Sequence, residues 1–228
     1  DFYERGLLNQ ILSSQHPETG LVIYNQSLEM GGHKEFQNPE EFTCCIGTGM
    51  ENHSKYGQNI FFHNNDELFV SQFIASELEW KAKGLKIRQE TTFPEEQKTV
   101  LRIGCEKATH FTLKIRYPQW AENGIEIKVN GKKQSVKEKP GSFITISRKW
   151  ENKDAVEVSF PFSLRLETMP DDSNRVAIFY GPVVLAGDLG PENDSLAFSP
   201  DYVPVLITTG RNPSAWIKPV EGKINSFV

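Results

Sequence analysis

Two hydrophobic periods divide the chain. At its start Phe2, Leu7, Leu8, Ile11 and Leu12 recur at the three-to-four spacing of one helix face, and the pattern stops at the turn-forming run His16-Pro17-Glu18-Thr19-Gly20. A short extended piece, 21–24, then leads into a polar loop containing Gly31, Gly32, Asn38 and Pro39. Residues 42–46 enter a second predicted helix over 48–58, where Met50, His53, Ser54 and Gly57 share one side. A face made of small and polar residues either packs tightly or lines a site.

From about Ile60 the period becomes two. Residues 68–74, 85–91, 111–117, 125–129, 143–146 and 156–160 alternate apolar with polar, the mark of half-buried strands. Lys83-Gly84, Asn123-Gly124, Asn130-Gly131, Pro140-Gly141 and Asn152-Lys153-Asp154 separate them with turn chemistry. Further strands are predicted at 164–168, 175–180, 182–186 and 202–206. Short strands at this spacing predict an antiparallel β-sandwich. The expected organisation is therefore α+β and multidomain: helices over 1–60, a sandwich over 61–186, and a Pro/Gly-rich linker or incomplete further β module over 187–228. The chain has no internal repeat.

Composition narrows the function classes. The 228 residues carry 30 Asp+Glu against 25 Lys+Arg, a net charge of −5, with no basic stripe interleaved with aromatics. That balance argues against nucleic-acid and anionic-membrane partners. No run approaches the roughly 18 to 20 apolar residues of a spanning helix. Three cysteines, two of them adjacent, build no disulfide framework. The chain opens on Asp1 with an amphipathic pattern and no targeting segment before it, and it stops on Phe227-Val228; both ends predict an excised portion of a longer protein.

Cys44-Cys45 is the sharpest chemical feature. Adjacent cysteines just before a helix N-terminus sit where the dipole and free N–H groups favour a thiolate, the form that attacks carbon or binds metal. Taken alone, such a pair more readily reads as two small buried apolar side chains or as a strained vicinal disulfide. The preceding loop supplies Glu29, His33, Glu35, Glu40 and Glu41, but no HExxH or Cys-x-x-Cys spacing that completes a zinc site. His53 and His63 fall on different elements and read as ordinary surface or core histidines. Gly47-Thr48-Gly49 lacks the Lys-Ser/Thr ending of a phosphate loop. Trp80, Trp120, Trp150 and Trp216 offer faces on which a sugar could stack, but their strand context favours core packing. Cys105 reads as a structural thiol.

The segment 42–57, Phe-Thr-Cys-Cys-Ile-Gly-Thr-Gly-Met-Glu-Asn-His-Ser-Lys-Tyr-Gly, resembles the β-L-arabinofuranosidases of glycoside hydrolase families 127 and 146. So do Leu-Phe-Val-Ser-Gln-Phe-Ile-Ala at 68–75, Arg-Gln-Glu-Thr-Thr-Phe-Pro at 88–94, Lys-Ile-Arg-Tyr-Pro at 114–118 and Tyr-Gly-Pro-Val-Val-Leu-Ala at 180–186. The wording Met50-Glu-Asn-His-Ser-Lys-Tyr-Gly57 favours the second family, and the resemblance spans about residues 1–190.

The resemblance implies an (α/α)6 barrel, of which residues 1–60 would be the last helices, followed by β-sandwich domains. It implies that Cys44 is both nucleophile and zinc ligand and that Cys45 is a second zinc ligand. The remaining ligands, an upstream Glu and Cys, and the acid/base Glu have no counterpart here and would precede Asp1. Glu29, Glu35, Glu40 and Glu41 do not occupy those positions. Tyr24 is a substrate-contact candidate by placement. The implied partner is an arabinose-containing plant glycan, and the implied location periplasmic or extracellular. The fragment alone is expected to be inactive, with zinc held loosely, and to self-associate through Phe2, Leu8 and Ile11. The competing reading is a non-catalytic carbohydrate-binding or structural sandwich.

Overall fold

A computed structural model describes residues 1–26, 34–38, 40–188, 207–208 and 210–228. The predicted strand over 202–206, together with Glu29, Gly31, Gly32, His33 and Pro39, lies outside the described residues. The described residues are mostly β, in several sheets, with few helices. They divide into two compact units: Asp1 with Lys55–Ser163 and Val220–Ser226, and Phe2–Ser54 with Leu164–Pro219 and Phe227–Val228.

The first unit is a two-sheet sandwich. One sheet has six strands in the order Lys132–Lys133, Glu126–Val129, Ala155–Ser159, Lys98–Cys105, Leu85–Glu90, Ser76–Trp80, every pair antiparallel. The other has four, in the order Ser142–Trp150, Thr109–Tyr117, Glu67–Val70, Phe61–His63. Alternation along each strand decides which side chains meet between the sheets. From the first come Leu85 and Ile87, Leu101 and Ile103, Ile127 and Val129, Val156 and Val158; from the second come Leu68 and Val70, Phe111, Leu113 and Ile115, and Ile144. Asn130 and Gly131, both at positive φ, close the hairpin between Glu126–Val129 and Lys132–Lys133, as the Asn-Gly pair predicts.

One feature corrects the sequence expectation. Glu67–Val70 pairs with Thr109–Tyr117 in parallel, placing Leu68 opposite Leu113 and Val70 opposite Ile115. A parallel pair cannot be joined by a tight hairpin, so the chain leaves through Ser76–Trp80, Leu85–Glu90 and Lys98–Cys105 before it returns.

The tryptophans serve the fold. Trp80 and Trp150 are buried and Trp120 nearly so, while Trp216 of the second unit is half-buried, its indole donating to the Gly210 carbonyl at 3.2 Å. Trp150 stacks on Phe111 with centroids 5.4 Å apart and donates its indole N–H to the Phe111 carbonyl at 3.0 Å. Arg116 is buried as well: its guanidinium donates to the Ser71 carbonyl at 2.6 Å and to the Asp1 carboxylate at 2.9 Å, and lies over the Phe73 ring. Cys105 is a structural thiol near the Trp150 carbonyl, at 3.9 Å.

The second unit opens with helix Phe2–Gly6, which continues as a wider π turn over Leu7–Ile11 and a tight 3-10 turn over Leu12–Ser14. Phe2 is exposed, whereas Leu8 and Ile11 are half-buried, so only part of the expected apolar face stands open. A hairpin of Ile23–Gln26 and Lys34–Phe36 precedes helix Cys44–Ser54. A three-stranded antiparallel sheet, Leu164–Thr168, Val176–Tyr180 and Val183–Val184, belongs to this unit, although the sequence reading extends the sandwich to 186. Asn9 joins the first helical segment to that sheet: its amide donates to the Pro182 carbonyl at 2.8 Å and accepts from the Val184 N–H at 2.7 Å. Arg5 and Arg165 both reach the Glu167 carboxylate, at 2.6 and 3.0 Å, and both guanidinium groups lie over the Phe179 ring.

Two measurements test this packing. Trp150→Phe leaves the buried Phe111 carbonyl one donor short and is expected to cost about 1–3 kcal/mol, against about 3–5 for Trp150→Ala, read as urea midpoints. Burial works to raise the Glu167 pKa, but the hydrogen bonds and charges of Arg5 and Arg165 outweigh it and hold the group below its usual range. Its stabilising contribution is thus present above about pH 4.3 and lost as pH falls through the depressed folded value. Melting curves of Glu167→Gln between about pH 3 and 6 should lose part of the wild-type acid slope, modestly because the ion pairs are partly exposed.

Candidate functional site

Helix Cys44–Ser54 starts four residues before the predicted 48–58, which places the two cysteines inside its first turn rather than ahead of it. It ends at Ser54, and a separate 3-10 turn, Tyr56–Asn59, follows in the other unit. The glycine-containing Cys-Cys-Ile-Gly-Thr-Gly opening lowers intrinsic helix propensity, so neighbouring contacts must hold the turn. The carbonyl of Thr43 accepts from the Ile46 N–H at 3.2 Å and the Gly47 N–H at 3.5 Å, and the Thr48 hydroxyl donates back to the Cys44 carbonyl at 3.1 Å. Thr43 sits where a side-chain cap would normally accept from the helix. Its hydroxyl donates to the side-chain carbonyl of Gln37 at 2.8 Å.

Cys44 is exposed and Cys45 half-buried, and both are thiols, so the vicinal disulfide is not formed. Their Sγ atoms stand 3.9 Å apart. The Cys45 thiol is pushed above its ordinary value, first by burial and then by its contact with Cys44 and the charge Cys44 would carry. The helix terminus alone therefore does not turn Cys45 into a thiolate. The group that the resemblance implies for such a pair is a zinc ion.

The sulfur geometry suits one. A tetrahedral zinc with Zn–S bonds of about 2.3 Å spans two sulfurs about 3.8 Å apart, close to the separation seen. Two thiols make half of such a site. Among the described residues no cluster of three or more His, Cys, Asp and Glu side chains completes it. Glu35, Glu40 and Glu41 are exposed, and His53 and His63 fall in different units, His63 against the Trp80 ring.

Tyr24 is 52% exposed on the hairpin. It lines a cavity of about 610 Å³ with Asn25, Gln26, Glu35, Gln37 and Glu41. Neither cysteine is among the lining residues; the connection runs through Gln37, which lines the cavity and holds Thr43. Sequence reasoning missed this amide-rich wall. Its only sequence signal is the pair of short polar doublets, Asn25-Gln26 and Gln37-Asn38, which follow no period.

Residues 1–58 match the family model described as β-L-arabinofuranosidase, GH127 catalytic domain, and residues 67–162 match that of the GH127 middle domain. Comparison with curated proteins returned no match. Among solved structures, Ara127N-Se, a GH127 β-L-arabinofuranosidase from Geobacillus stearothermophilus T6, aligns at 25% identity and TM-score 0.65, over 79% of this chain and 31% of its own. A glycoside hydrolase at 22% identity and TM-score 0.67, and the GH127 β-arabinofuranosidase BT3674 at 24% and 0.68, each align over 79% of this chain and 32% of their own, and show the shared fold. The chain thus spans about a third of the length of the structures it matches. The two domain matches and the 25%-identical structure support GH127.

Proposed function

We propose that the chain is the nucleophile-bearing part of a retaining β-L-arabinofuranosidase of the GH127 type, with Cys44 as nucleophile. The observation that carries the reading is the exposed Cys44 thiol, 3.9 Å from Cys45, at the start of a helix inside the segment that matches the GH127 catalytic domain. In this reading residues 1–60 are the last helical part of an (α/α)6 barrel. The wording of 50–57 sets the chain nearer family 146, although both matched domain models are those of GH127.

Cys44 and Cys45 would hold a zinc ion, which when bound keeps both sulfurs deprotonated and in place. The Cys44 sulfur then attacks the anomeric carbon as the glycosidic C–O bond breaks, and the leaving oxygen takes a proton from an acid supplied outside these residues. Water then gives a proton to that same group, now a base, and attacks the same carbon from the face the leaving group vacated, breaking the C–S bond and returning the thiolate. Two inversions give net retention. Tyr24 and the amide groups beside it supply an aromatic face and hydrogen-bonding groups suited to a furanose and its neighbour, so an arabinose-containing glycan is the proposed substrate.

The test is release of L-arabinose from p-nitrophenyl β-L-arabinofuranoside by the full-length protein. Cys44→Ser should lower kcat by a factor of about 10³ or more while the melting temperature stays within a few degrees. Cys45→Ser, which keeps the nucleophile, should reduce zinc content measured by atomic emission. Unchanged hydrolysis in Cys44→Ser would remove the nucleophile assignment; no hydrolysis by either protein would leave a glycan-binding sandwich as the better reading.

A further inference from the structure

Helix Cys44–Ser54 is fixed at two points against the segment that carries Tyr24. At its start, the Thr43 hydroxyl donates to the Gln37 carboxamide at 2.8 Å. About one and a half turns later, Gly49 lies so close to Val22 that an added Cβ would come within 2.9 Å of a Val22 methyl carbon. The two points are themselves tied, because the Gln37 N–H donates to the Val22 carbonyl at 3.0 Å. Gly49 and Val22 limit how closely the helix can approach, and the Thr43–Gln37 bond ties its first turn to the same segment.

We infer that Gln37 is a positioning residue for Cys44: its carboxamide, acting through the Thr43 hydroxyl, fixes where the first turn of the helix presents the two thiols. The Thr43 hydroxyl donates its hydrogen to Gln37 and so links the helix start to the cavity wall. A group that forms a covalent bond at carbon tolerates little displacement, and about 1 Å of misplacement can cost a hundredfold in rate. The inference takes its functional meaning from the proposed role of Cys44, but its geometry can be tested without turnover.

The experiment compares alkylation of Cys44 and Cys45 by iodoacetamide in the chelator-treated full-length protein, each site quantified by mass spectrometry. Thr43→Val and Gln37→Met each remove one side of the hydrogen bond and lie on different segments, so either can report if the other fails to fold. Each should change the Cys44:Cys45 rate ratio by about threefold or more, and Thr43→Ser, which keeps the hydroxyl, should restore the wild-type ratio. General loosening would bring the half-buried Cys45 toward the rate of the exposed Cys44; an unchanged ratio, or one that only moves toward unity, in a folded variant overturns the inference. Should the ratio move while Cys44→Ser retains hydrolysis, the positioning stands and the nucleophile reading falls.

Discussion

The parallel pairing of Glu67–Val70 with Thr109–Tyr117 is the constraint on which the sandwich depends. It sets Leu68 and Val70 in register with Leu113 and Ile115, all fully buried. A slip of one residue would turn those side chains to the opposite face. Because the two strands run the same way, everything between them must make a return journey, and three strands of the six-stranded sheet are that journey. Thr109–Tyr117 then pairs along its whole length with Ser142–Trp150, which brings Trp150 back to Phe111. Local alternation, crossover and aromatic anchor form one consistent set of choices.

The strands legible in the sequence are those whose alternation is uninterrupted. Phe111, Leu113, Ile115 and Tyr117 face the core, with Thr112 and Lys114 between them, and the strand reads directly. Lys98–Cys105 was missed because Val100 interrupts the row formed by Thr99, Leu101 and Ile103, and Gly104 follows. Ser76–Trp80 is short and carries two glutamates, with only Leu78 and Trp80 directed inward. Parallel pairing had no local signature at all: it follows from which apolar rows can share a core, a non-local fact.

The site divides in the same way. The cysteine pair was visible because adjacent cysteines before a helix are chemically uncommon, but the helix start was misplaced by four residues. Glycines at 47 and 49 weaken the helical pattern, and the contacts that compensate, Thr43 to Gln37 and Gly49 to Val22, join residues with no shared period. The expected thiolate character is also incomplete, since burial and the neighbouring sulfur oppose deprotonation of Cys45. In such a pair the terminus of a helix supplies a bias toward the thiolate, which burial and a neighbouring sulfur oppose.

Asn9 carries one more meaning. Its amide offers an N–H and a C=O at the spacing of a peptide unit, and it uses them on the Pro182 carbonyl and the Val184 N–H at the border strand of the three-stranded sheet. A side chain there stands in for the backbone of a fourth strand. Those two groups are consequently withheld from any foreign chain seeking to extend the sheet, and a single residue on a helix does the work of an aggregation guard.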